Sequence, residues 1–93
     1  RALTLQPELA RAWALRAFVR LRQGDAARAR ADARRAVELR PTDVITLRPL
    51  VFVLLQLREL DAAGTLLDRA APFSEEDRTW LERARAEVQA RRR

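Results

Sequence analysis

The 93-residue chain contains no Cys, His, Lys, Met, Tyr or Asn. Each absence removes a class of chemistry. Without Cys there is no disulfide, no thiolate nucleophile and no thiolate zinc ligand. Without His the usual general base and the commonest metal ligand are missing. Without Lys there is no Schiff base and no phosphate-loop lysine. The longest unbroken apolar run, Leu50 to Leu55, is six residues, far short of the roughly 20 that cross a bilayer. No signal peptide is visible. No catalysis, no cofactor, no metal and no membrane span are therefore expected. Glu75, Glu76 and Asp77 cluster, but at a helix start, where acids compensate the dipole. The first residue is Arg1, which reads as a piece of a longer protein, and a cytoplasmic setting is expected.

What is present is Arg, Ala and Leu. Nineteen Arg face thirteen acidic residues, for a net charge of +6. Apolar residues make up 48% and charged residues 34%, a balance that folds rather than stays disordered. Ala, Leu, Arg and Glu favour helix. Abundant Arg and Ala without Lys or Asn also reads as GC-rich codon usage, which weakens any case that Arg was chosen for its planar fork.

The chain repeats itself at a spacing of 34. Pro7 falls on Pro41, Phe18 on Phe52, Val19 on Val53, Leu21 on Leu55 and Ala29 on Ala63. Trp13 falls on Leu47 and then Leu81. Pro and Phe are rare here, so their matches weigh most. Within each period the pattern predicts two helices, from about Glu8 to Arg22 and from about Ala26 to Leu39, broken at Gly24-Asp25. Thr42-Asp43 then caps a third, to about Leu57, and a fourth covers about Asp61 to Ala71. Ser74 with Asp77 reads as a capping box for a fifth, to about Ala90.

With Trp13, Ala17, Gly24, Ala29, Ala36 and Pro41 in one period, and Leu47, Ala63 and Ala70 in the next, the chain resembles the tetratricopeptide repeat family. The resemblance implies an all-α fold, a right-handed superhelical array of antiparallel helix hairpins. Residues 1–7 would be the tail of a preceding second helix, 8–41 the first repeat, 42–73 the second, and 74–93 a terminal or capping helix. Three departures stand out. Arg16 and Arg20 occupy first-helix core positions, Pro49 lies inside the third helix at a cost of about 3 kcal/mol in an ordinary interior, and the last segment starts a residue or two off register.

The helical wheel of residues 8–22 shows one apolar arc through Trp13, Ala17 and Leu21 and a second through Ala12, Leu15 and Val19. Two arcs imply neighbours on two sides. In the family the first helices line a concave surface. Carried over, this implies a groove lined by Arg11, Ala14, Phe18, Leu21 and Arg22 and by Ile45, Arg48, Phe52, Leu55 and Gln56. Such a groove suits a partner protein's helix or peptide with an acidic flank, so a protein-interaction or scaffolding module is expected. Its alternative is that Phe18 and Phe52 simply pack between helices. The carboxylate-gripping form of the family relies on Lys and Asn and is not expected here. A second expectation rests on charge. Residues 1–41 carry ten Arg against four acids, which would suit nucleic acid or another anionic surface, but no nucleic-acid motif accompanies them. A third is a structural spacer that self-associates through uncapped repeat ends.

Overall fold

The computed structural model describes residues 2–92, with side chains from Glu8 onward. Five helices follow one another: α1 (Ala2–Arg22), α2 (Ala26–Glu38), α3 (Val44–Gln56), α4 (Leu60–Asp68) and α5 (Glu75–Arg92). The fold is all-α. None of these helices is long and apolar enough to cross a membrane.

The period of 34 survives as geometry. α1 and α3 end at residues 22 and 56, while α2 and α4 begin at residues 26 and 60. The turns between them match as well, with φ of +86° at Gly24 and +64° at Arg58. Asp25 caps α2 by accepting the Arg28 N–H at 3.1 Å. Glu59 stands at the same point before α4 but makes no cap bond, because it receives Arg30 at 3.0 Å and Arg34 at 3.8 Å. Asp43 caps α3 through the Thr46 N–H and hydroxyl, at 3.1 and 2.7 Å.

Boundaries shift where sequence signals are weak. α1 opens at Ala2 instead of about Glu8, so residues 2–7 continue the helix and are not a separate tail. Pro7 is its sixth residue, near enough to the start to forfeit a single backbone bond. Pro49 holds the same position in α3, which also runs on through it. α4 stops at Asp68, short of Ala71.

α1 and α2 meet through alanines. Ala14, Ala17, Ala29, Ala33 and Ala36 are wholly buried, and side chains this small let two helix backbones lie close. The second hairpin fills the same space with leucines. Leu47, Leu50, Leu54 and Leu67 are buried to within 1%. α3 is the central helix, in contact with all four others, and is apolar nearly all round for that reason. α5 turns Leu81, Ala84 and Val88 inward.

The arginines at 16 and 20 are accommodated in a specific way. Asp32 is only 4% exposed. It receives Arg16 Nε at 2.9 Å and lies 3.2 Å from Arg20 Nε. One period later these three positions are Leu50, Leu54 and Leu66, all buried. An Arg–Asp–Arg cluster thus replaces a leucine trio. The second apolar arc of α1 has no such cover. Leu15 and Val19 are each 49% exposed, whereas Val53, equivalent to Val19, is buried against the preceding hairpin. The expectation of neighbours on both sides of α1 is not met among the described residues, whereas α3 has them.

Candidate interaction groove

Aromatic rings line one side of the molecule. Phe18 on α1 and Phe52 on α3 meet with centroids 5.6 Å apart, tilted by 58°. Helical periodicity sets this up, since both rings hold the same position in consecutive repeats. Phe18 is half-buried against the core, and Phe52 is 42% exposed. Beyond Phe52 the surface dips into an apolar hollow of about 200 Å³ between α3 and α5. Val51, Leu55 and Ala84 reach its floor, and Trp80 lines it together with Phe52.

Arginines border this strip. Arg22 lies 5.8 Å from the Phe18 ring and Arg48 5.4 Å from the Trp80 ring. Both are within the range of cation–π attraction. Stacking fixes the guanidinium plane while its N–H edge stays open to an acceptor. Arg83 joins Arg48 at the rim of the hollow. Two acids are near. Asp77 lies 3.8 Å from Arg48, and Glu87 is held by Arg91 at 2.9 Å. Arg22 and Arg83 have no ion pair among the described residues.

Of the residues expected to line a groove, Phe18, Arg22, Arg48, Phe52 and Leu55 come together here. Leu55 is floor rather than wall, at 8% exposure. Leu21 is half-buried and packs on the core. Ala14 is wholly buried and lines nothing, because it sits where α1 and α2 touch. Arg11 is committed to the α3 cap, 3.5 Å from Asp43, with its Nε buried and without a hydrogen-bond partner. Trp80 and Arg83 escape the sequence reading. Trp80 lies 34 residues after Thr46, a buried non-aromatic position, so the repeat register hides it. Heptad-like spacing was the available signal, since Trp80, Arg83, Ala84 and Glu87 share one helix face.

Among the described residues no group of three or more His, Cys, Asp or Glu side chains is placed to hold a metal ion. Comparison with family models, with curated proteins and with solved structures finds no match to this chain.

Proposed function

We propose that the protein is a non-catalytic interaction module whose Arg-bordered aromatic groove binds a helix or extended peptide with an acidic flank. One observation carries this reading: Phe18, Phe52 and Trp80 form a half-open strip with Arg22, Arg48 and Arg83 along it. Aromatic and Arg side chains at the centre of a surface are the residues that most often dominate binding energy. The reading includes a tetratricopeptide-type array in which the strip is the concave face. The matching hairpin ends and turns at a spacing of 34 support that assignment.

The excess charge of the first repeat supports nucleic-acid binding less well. Arg11, Arg16, Arg20, Arg28, Arg30 and Arg34 all have an acidic partner within 4.0 Å. Four acids, Asp25, Asp32, Asp43 and Glu59, partly neutralise these six. The test of the groove is Phe52→Glu. Its ring is exposed enough for the variant to stay folded, and capture of the native partner should fall by about tenfold or more. Unchanged capture by a folded variant overturns the proposal.

A further inference from the structure

The fold engages most of its arginines. Among the described residues, ion pairs, carbonyl bonds or stacked rings take all of them except Arg40, Arg69, Arg78 and Arg83. Two of these, Arg40 and Arg69, line one pocket of about 200 Å³ where α2 and α4 end. Val37, Pro41, Ala62 and Leu66 supply its apolar lining, and Thr65 adds a hydroxyl. Thr46 and Thr79 bond their hydroxyls within the fold, whereas that of Thr65 makes no such bond. No acid is among the described residues of the lining. Asp68 lines the neighbouring hollow instead, where Asp61 and Asp68 are matched by Arg85 and Arg92. Glu38 follows Val37 but lies about 100° away around α2. Two helix C-termini converge here, each with about half a negative charge, and two guanidiniums exceed that. Neither guanidinium is spent on capping. The Val37 and Leu66 carbonyls already receive the Arg40 and Arg69 backbone N–H groups, at 2.9 and 3.2 Å.

Arg40 also holds a left-handed backbone, with φ of +51°, a conformation that Gly adopts freely and Arg only under strain. Glycine is the ordinary residue just past a helix end, so stability alone favours Gly at this position. Strain of this kind collects at functional sites. Farther up the same seam Glu59 lies against both Arg30 and Arg34, so a carboxylate shared by two arginines already bridges α2 and α4. We infer that the pocket binds a small organic carboxylate of about benzoate size, its apolar body on the aliphatic lining and its charge shared by Arg40 and Arg69. A cavity of about 150 Å³ already takes benzene, and the guanidinium fork suits a planar carboxylate. The pocket shares no residue with the hollow beside Phe52, so the inference stands apart from the groove reading.

The probe is benzoate, titrated into the isotope-labelled protein and followed by amide chemical shifts. The shifts should cluster at Arg40, Ala62, Thr65 and Leu66 and saturate in the low millimolar range, the affinity so few ligand atoms supply. Benzamide has the same shape without the charge and should bind about tenfold or more weakly. Inorganic phosphate has charge without an apolar body and should also bind about tenfold or more weakly. Arg40→Gly should weaken benzoate by about tenfold yet raise the urea midpoint, because Gly relieves the turn. A merely structural arginine gives no such opposition. Arg69→Gln, with circular dichroism unchanged, should weaken benzoate by a similar factor. Benzoate shifts scattered over the arginines, or no saturation by about 10 millimolar, overturn the site. Benzamide binding as well as benzoate overturns the role of charge, and phosphate binding as well overturns the role of the apolar lining. Benzoate binding unchanged in both Arg variants overturns the proposal whatever the midpoint does.

Discussion

Positions 24 and 58 make the same turn with different residues. At Gly24 the left-handed backbone is free of penalty, and a Cβ there would meet nothing within 4 Å. Any cost of Gly24→Ala is therefore conformational, about 1 kcal/mol. At Arg58 the same conformation is strained, and its side chain returns a 3.4 Å bond from the guanidinium to the Arg91 carbonyl. Arg58→Gly should raise the urea midpoint modestly while Gly24→Ala lowers it. Shifts of the same sign would show that the two turns are not equivalent. Gly24 is legible in the sequence because Gly breaks helices. Arg58 is not, because Arg signals no turn; only its distance of 34 from Gly24 marks it.

At the scale of elements, the helix pair α1–α2 differs from its successor in what holds it. The Arg–Asp–Arg cluster fixes geometry around a buried Asp32 under two solvent-reaching arginines, but the desolvation of Asp32 offsets much of its attraction. Asp32→Ala leaves Arg20 facing an apolar wall, and should cost about 1–3 kcal/mol. Converting Arg16, Arg20 and Asp32 together to Leu copies the residues of the second hairpin and removes the desolvated Asp32, and should be about neutral. Thermal unfolding of the two variants checks this, and a triple variant weaker than Asp32→Ala would refute it. The helices themselves were readable from apolar spacing and caps, as Asp25, Asp43 and Ser74 show. Two things were not. Arg16 and Arg20 look like solvent-facing breaks in a core stripe until Asp32 is brought beneath them. The start of α1 hides behind Pro7, which ends helices from one side and is tolerated near the beginning from the other.

Over the whole molecule the two ends differ. α5 closes one end with an amphipathic helix, its charged side outward. At the other end Ala12, Leu15 and Val19 stay open. Val19 and Val53 are thus the same residue in the same repeat position with opposite environments. Val19→Arg should change stability by less than about 0.5 kcal/mol, whereas Val53→Arg should cost roughly 3–5 kcal/mol or prevent folding. Chemical denaturation of the pair distinguishes a covered face from an open one. The groove was half legible for a related reason. Phe18 and Phe52 obey the period, so they surface at once. Trp80 and Arg83 belong to a helix that enters out of step, so only the assembled fold brings them to the same hollow as Phe52.

α5 is also fastened at both of its ends. Near its start the Ala71 N–H donates to the Thr42 carbonyl at 2.9 Å, and Ser74 with Asp77 caps the first turn. Near its finish Arg91 donates to the Leu55 carbonyl at 3.2 Å, while Arg85 caps α4 at Leu67. A span held at both abutments keeps its opening without help from what passes through. In the proposed binding, the ordering entropy of that space is already lost in folding, so a guest would contribute only its own loss of freedom. The proposed binding would then proceed as one bimolecular step, with lifetime rather than arrival rate separating good guests from poor ones.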